Sequence, residues 1–305
     1  MAYSAGGLIE ATDYNNRAAN VNAIWGVGSG SNGYGQGTTL SNVSATSTVA
    51  ATNWASLIAR IDSMRAHQSG ASSGITQPSA GNTITFLSTL DTQITTTITN
   101  KLSTNARGTA VPTGLGNPGM SNATSWTTSA TKEFTVTFTS TDTVRYYFNS
   151  GGLLTFYLSI TSGTTSKATD WANFLTNQVG TITLGSNFCS RTGTGGDNLT
   201  QNTSVGFHNL TATYQTLFAI GSTSATADYG SNFITIEARV GGALYGASSN
   251  VVYLRAILTD AAGDGASNQI DGTLNLFAGY TPPSTVNISN SWSTLTYGTV
   301  TNTQS

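Results

Sequence analysis

Beyond residue 125, most of the chain alternates hydrophobic and polar residues in short runs separated by Gly, Asn, Ser and Thr. Such alternation predicts β-strands that bury one face. The predicted strands cover residues 134–138, 181–184, 214–220, 233–240, 251–259, 274–280 and 292–300. Many short strands joined by turn residues are typical of an antiparallel β-sandwich or jelly-roll rather than of a parallel α/β sheet.

The stretch 144–160 (VRYYFNSGGLLTFYLSI) is more hydrophobic than its surroundings. Its two apolar runs flank residues 149–152 (NSGG), and Asn and Gly tolerate the positive φ angles of a tight turn. The pattern therefore predicts a β-hairpin at the centre of the β domain. Tyr146 and Phe148 would lie on the buried face of its first arm, and Phe156 on that of the second.

The first third of the chain has a helical period. Apolar residues recur every three or four positions in three segments, which predicts helices near residues 12–25, 50–67 and 87–102. The first two helices open with similar hexamers, IEATDY at 9–14 and VAATNW at 49–54, in which Thr12 is the expected cap of the first helix. A shorter version, ATDW at 168–171, predicts one more helix among the strands. Duplication of a helical unit is a hypothesis that these short matches leave open.

Composition suggests what the helical part does. Only 8% of the residues are charged, against about 25% in ordinary soluble proteins, so covering the surface with a neighbouring protein leaves few charges to desolvate. We therefore expect a helical docking region at 1–105, a Pro/Gly linker at 106–125 and an antiparallel β-sandwich domain at 126–305. The expected assembly interface comprises the apolar stripes of the helices: Tyr14, Ile24, Trp25, Trp54, Leu57, Leu87, Leu90 and Ile94. A monomer with a neutral, hydroxyl-rich surface is the alternative.

Residues that usually carry catalysis are sparse. The histidines are His67 and His208, and neither stands in a nucleophile motif. The thirteen acidic residues show no local pair of the kind that glycan cleavage requires. One cysteine and two distant histidines do not suit a zinc site. We therefore expect no enzymatic activity, no cofactor and no metal site, with His67 as a cation that complements a helix C-terminus.

Two loops have superficial likeness to ligand sites. The glycine-rich loop 26–37 (GVGSGSNGYGQG) lacks the Lys-Ser/Thr pair of a phosphate loop and follows no predicted strand, so we expect a flexible or ligand-free connection. Residues 260–271 match four positions of a calcium loop, but Ala262 replaces one ligand. The Asp/Gly-rich sequence favours a long turn, and weak calcium binding is the alternative.

Charge and hydropathy restrict the partners. The eleven basic and thirteen acidic residues are scattered singly, which gives no basic stripe for nucleic acid. No apolar run approaches the ~20 residues that span a bilayer, and residues 1–7 (MAYSAGG) do not resemble a signal peptide. We expect neither a nucleic-acid nor a membrane partner. Glycan binding needs only exposed aromatic and amide groups, for which Trp126, Tyr229, Tyr245 and Trp292 are candidates.

Several segments, taken in order, carry a family resemblance: IEATDYN at 9–15, IWGVGSG at 24–30 with GYGQ at 33–36, VAATNW at 49–54, RYYFNSGG at 145–152 and DGTL at 271–274. As a set they resemble structural proteins in the virions of tailed bacteriophages, especially phages of marine and cyanobacterial hosts. The resemblance implies a virion location, copies of the chain itself and other virion proteins as partners, and no catalytic residues. A tail, baseplate or fibre component is the first expectation. A capsid-surface decoration protein and a glycan-binding adhesin or receptor-binding module, with a host surface glycan as partner, are the alternatives.

Overall fold

The computed structural model describes residues 10–112, 125–223, 231–261 and 269–305. The chain forms two compact units, each built from separate stretches of sequence. The helical unit contains Met1–Gly108, Arg145–Gly151 and Pro283–Ser291, and the β unit contains Thr109–Val144, Gly152–Pro282 and Trp292–Ser305. The expected boundary at residue 105 is close to Gly108, where the chain first passes from the helical unit to the β unit. The return of two later stretches to the helical unit was not expected. Residues 113–124 of the expected linker lie outside the described ranges.

The helical unit contains the three predicted helices, α1 (Ala11–Trp25), α2 (Ala51–Ser69) and α3 (Leu87–Thr99). Their apolar stripes meet in one core cluster, which also takes in Tyr34 and Ile288. Because short helices of this kind are only marginally stable alone, the shared core supplies most of their stability.

The repeated hexamers form matching helix starts. The carboxylate of Asp13 accepts the Glu10 N–H at 2.9 Å, and the side-chain oxygen of Asn53 accepts the Ala50 N–H at 2.9 Å. Each of these residues is followed by an aromatic ring, and the rings of Tyr14 and Trp54 meet edge to face at 5.4 Å. The expectation that Thr12 caps α1 is wrong, because Glu10 occupies the cap position.

The predicted hairpin is wrong in its first arm. Residues Thr141–Asn149 form a helix, α4, which begins where the Ser140 hydroxyl accepts the Thr143 N–H at 3.0 Å. Gly151 follows with φ +89° and turns the chain into a strand. Residues 144–150 are all buried. The polar residues Asp142, Arg145 and Asn149 recur at helical spacing, but the apolar residues between them and the NSGG sequence that follows also fit a strand and a turn.

The β unit contains two antiparallel sheets, which confirms the predicted mainly β class with a helical N-terminal part. The strands are β1 (Val111–Pro112), β2 (Ser129–Phe138), β3 (Leu153–Thr161), β4 (Ile182–Leu184), β5 (Cys189–Arg191), β6 (Asp197–Gln201), β7 (Gln215–Gly221), β8 (Phe233–Val240), β9 (Val251–Thr259), β10 (Thr273–Thr281), β11 (Leu295–Tyr297) and β12 (Thr301–Gln304). One sheet has the order β1-β10-β3-β4-β5. The other has the order β11-β2-β9-β8-β7-β6, with β12 also paired to β2.

The two sheets meet through their buried faces. Along β2 the residues alternate between half-buried and buried, as a half-covered strand requires. Phe134 of β2 and Phe156 of β3 contact each other edge to face at 5.6 Å, which joins one sheet to the other. Between β3 and β4 lies α5 (Ser166–Asn173), which continues as a π-helical turn, Phe174–Val179. This arrangement is consistent with the predicted β-sandwich.

Candidate functional site

The eight residues predicted to form an assembly interface all lie in the core of the helical unit. None of them is more than 7% exposed, and Trp54, Leu57 and Leu90 are fully buried. The interface prediction is corrected accordingly: the apolar stripes pack against one another inside the chain, so an assembly surface has to be formed by other residues. The eight residues are Tyr14, Ile24, Trp25, Trp54, Leu57, Leu87, Leu90 and Ile94.

The glycine-rich loop is fixed to the helical unit by its hydrogen bonds. The side chain of Gln36 donates to the Ser289 carbonyl oxygen at 2.8 Å and accepts the Ser289 N–H at 2.9 Å. The Asn149 amide donates to the Gly33 carbonyl oxygen at 2.8 Å, and Tyr34 is fully buried. The expectation of a flexible connection is wrong, because this loop supplies part of the core.

The outer surface of α3 is the first candidate for an assembly site. We call Thr92, Thr95, Ile98 and Thr99 the threonine face; all four are exposed. The threonine hydroxyls donate to the carbonyl oxygens four residues earlier, at 3.0 Å for Thr92, 2.9 Å for Thr95 and 3.0 Å for Thr99. Because these donors are already used, methyl groups and the Ile98 side chain remain as the outer surface.

The threonine face carries no unpaired charge. The acidic residue of α3 is Asp91, and its carboxylate accepts two hydrogen bonds from the Arg17 guanidinium, both at 2.7 Å. Covering this face with another protein surface would therefore require little desolvation of charge. Threonine is a poorer helix former than alanine, and a hydroxyl that bonds back to its own helix slightly destabilises that helix, so water-exposed threonines do not stabilise α3 by themselves.

The outer face of the five-stranded sheet carries a second candidate site. Tyr157 and Phe277 are cross-strand partners in β3 and β10, and their rings stack at 4.6 Å with 13° between the planes. Tyr157 is 38% exposed. Beside it lies a groove of about 350 Å³ whose polar lining is Ser159, Thr176, Thr181 and Thr192. An aromatic platform beside hydroxyl groups is a surface on which a sugar ring can stack and form hydrogen bonds.

The aromatic residues proposed from sequence for glycan contact are dispersed. Trp126 is buried against Trp171 at 5.1 Å, and Trp292 is half-buried. Tyr245 is partly exposed, and its hydroxyl lies 2.8 Å from Nδ1 of His208. Tyr229 lies outside the described residues. Of the described residues, Trp126, Tyr245 and Trp292 lie in separate surroundings. The Tyr157–Phe277 pair was missed, although both are outward residues of predicted strands.

His67 is not the helix-terminal cation expected from sequence. It is buried beside Tyr34, with ring centroids 5.3 Å apart. Burial lowers the pKa of His67 to about 4, with a smaller contribution from the Arg107 charge, so the imidazole is neutral near pH 7. His208 contacts Tyr245 and Phe207 in surface loops of the β unit.

The acidic residues at the two ends of the expected calcium loop, Asp271 and Asp260, already contact other side chains. Asp271 accepts hydrogen bonds from the hydroxyls of Thr164 at 2.5 Å and Thr165 at 2.7 Å, and these bonds hold the pKa of Asp271 well below its ordinary value. Asp260 lies 2.5 Å from the ammonium of Lys167. Residues 262–268, including Ala262, lie outside the described ranges. The absence of calcium binding stays a prediction.

Among the described residues, no group of three or more His, Cys, Asp and Glu is placed to hold a metal ion. Within the same part of the chain, no helix combines the length and apolar character that crossing a membrane requires.

Comparisons of the chain with protein-family models, with curated proteins and with solved structures found no significant match. The resemblance to virion proteins therefore rests on the sequence segments alone.

Proposed function

We propose that this chain is a non-enzymatic structural component of a tailed-phage virion, associated with the tail, baseplate or fibre, and that it acts by assembling in several copies. The threonine face of α3 is the observation that carries the proposal. It is an exposed helical surface with methyl groups, one isoleucine and no unpaired charge. The sequence segments shared with virion proteins supply the setting.

The threonine face fits a second copy of the same chain. Threonine at an exposed helix position costs roughly half a kcal/mol relative to alanine, and α3 carries three such residues on this face. Pairing the face with its own copy removes its methyl groups from water and brings no charges together. A net charge of only −2 for the chain gives little long-range repulsion between copies.

The assembly surface can be tested by charging it. The double variant Thr92→Lys/Thr99→Lys is expected to convert the oligomer into a smaller species, because buried ammonium groups would repel one another. Light scattering coupled to gel filtration measures the molar mass. Lysine is a better helix former than threonine, so α3 itself is preserved.

The matched control is Thr92→Ala/Thr99→Ala, which keeps the face neutral. We expect this variant to retain the molar mass of the unmodified chain and to melt at an equal or higher temperature. If the unmodified chain is a monomer at every concentration, or if the lysine variant assembles as well as the alanine control, assembly through α3 is wrong.

The virion setting is tested separately with gold-labelled antibodies on intact phage particles. Label on the tail, baseplate or fibre supports the proposal, and label distributed over the head supports the alternative of a capsid-surface decoration protein. Particles that remain unlabelled after mild opening, while free chain binds the antibody, would contradict both.

Glycan binding is the second candidate function, and the Tyr157–Phe277 platform favours it. Tyr157→Ala is expected to abolish binding to host surface polysaccharide, because the sugar would lose its stacking partner. Tyr157→Phe, which keeps the ring, is the control and should retain most of the binding. Sedimentation with insoluble polysaccharide measures the binding. If the unmodified chain and the alanine variant bind equally, the Tyr157–Phe277 platform is not a glycan site.

A further inference from the structure

A lysine and an aspartate form a fully buried pair inside the β unit. Lys167 stands in the first turn of α5, and Asp260 directly follows β9. The ammonium nitrogen and the nearer carboxylate oxygen are 2.5 Å apart, and the two side chains are 1% and 0% exposed. At that separation the carboxyl carbon is within about 3–3.5 Å of the nitrogen, which is the range of a near-attack geometry.

Lys167 occupies an unusual position for a lysine, since it is buried in the first turn of a helix. A positive charge at the first turn of a helix opposes the helix dipole. Burial adds a desolvation penalty for both members of an ion pair. Amide formation joins an amine to a carboxylic acid, and this neutral pair of groups differs from the ion pair only in the position of one proton.

The backbone on both sides of the pair is held in place. The Thr165 hydroxyl caps α5 by accepting the Ala168 N–H at 3.1 Å. The Asp260 N–H donates to the Thr128 carbonyl oxygen at 2.9 Å, and the next N–H, that of Ala261, donates to the side chain of Asn232 at 3.0 Å. The two reacting groups are thus positioned by the fold before any reaction takes place, which removes the entropic cost of bringing them together.

We propose that Lys167 and Asp260 condense to form an intramolecular isopeptide bond. The lone pair of Nζ attacks Cγ, the new C–N bond forms, the C–O bond of the carboxyl group breaks and one water molecule leaves. The proton lost by the nitrogen leaves with the departing oxygen, so no oxidant or external reactant is needed. Asp170, one helical turn from Lys167 on the same side of α5, can carry this proton.

The bond would close a loop that contains β4 to β9 and would fasten α5 to the end of β9, the strand between β2 and β8. A covalent closure of this length restricts the unfolded chain strongly, as a disulfide would. The chain has a single cysteine and so cannot form an internal disulfide. The inference does not depend on the proposed function, because it rests on the buried pair alone.

The intact mass of the folded full chain tests the proposal. We expect the purified protein, shown to be folded by a cooperative melt and followed until its mass is constant, to be one water molecule lighter than the sequence requires. Trypsin should then fail to cut after Lys167, because its side chain is an amide, so residues 146–191 stay in one peptide. That peptide should be joined through the new bond to the peptide that begins at Ala256. A folded chain of full mass, with cleavage after Lys167, would overturn the proposal and leave an unreacted ion pair.

Two variants separate the bond from other causes of a mass deficit. Lys167→Met/Asp260→Leu removes both reacting groups and both buried charges together, and we expect it to fold and to show the full mass. Asp170→Asn should slow the loss of water without changing the final mass. A deficit that persists in the Lys167→Met/Asp260→Leu variant would place the lost water elsewhere and contradict the assignment.

Discussion

Replacing Phe156 with alanine is expected to lower the free energy of unfolding of the β unit by about 3–5 kcal/mol. Phe156 is 1% exposed and contacts Phe134 of the facing sheet edge to face at 5.6 Å. The substitution removes the transfer free energy of the ring and leaves a cavity between two sheets, which can close only if both shift. Denaturant unfolding followed by circular dichroism measures the change.

Tyr157→Ala provides the control on the neighbouring residue of the same strand. Its side chain faces outward and stacks on Phe277, so its removal should cost only about 1 kcal/mol. Similar losses for Phe156→Ala and Tyr157→Ala would mean that the inner and outer faces of β3 have been assigned wrongly.

Replacing Gly33 with alanine is expected to destabilise the helical unit by more than about 3 kcal/mol, because two effects add. Gly33 has φ +98°, a backbone conformation that L side chains rarely adopt. A Cβ added there would also lie 2.3 Å from the Val27 carbonyl oxygen, and backbone atoms cannot move aside as the end of a side chain can. The midpoint of thermal unfolding of the full chain measures the effect.

Gly81→Ala separates backbone strain from steric clash. Gly81 has φ +85°, but nothing lies within 4 Å of an added Cβ. We therefore expect a loss of about 1 kcal/mol, from strain alone. If Gly33→Ala lowers the midpoint of thermal unfolding no more than Gly81→Ala does, the glycine-rich loop moves freely and its described hydrogen bonds do not hold it.

The elements that the sequence predicts well are those with one buried side. Strands β8 and β9 begin and end where the alternation predicts, and α1 to α3 follow their apolar stripes. Strands β6 and β12 were missed because they are mostly exposed and polar, so burial leaves no pattern in them. Helix α4 was missed because the apolar residues in its buried stretch, 144–150, fit a strand before a turn as well as a helix.

The choice of residues for the assembly interface was wrong for a different physical reason. An apolar stripe indicates that a helix packs against something, but it does not say whether the partner is in the same chain. Trp54 and Leu90 are buried within this chain. The signal for the outer surface was the run TTTIT at 95–99, in which the threonines were treated only as poor helix formers. The Lys167–Asp260 pair, 93 positions apart, has no sequence signal at all.

The discontinuous helical unit has a consequence for how the chain is made. Its core cluster includes Ile288, and Gln36 near the start bonds with Ser289. Helices α1 to α3 leave the ribosome first, yet they wait for nearly the whole β unit to be translated before the stretch Pro283–Ser291 can complete them. The helical unit therefore cannot be completed before nearly all of the β unit has been synthesised.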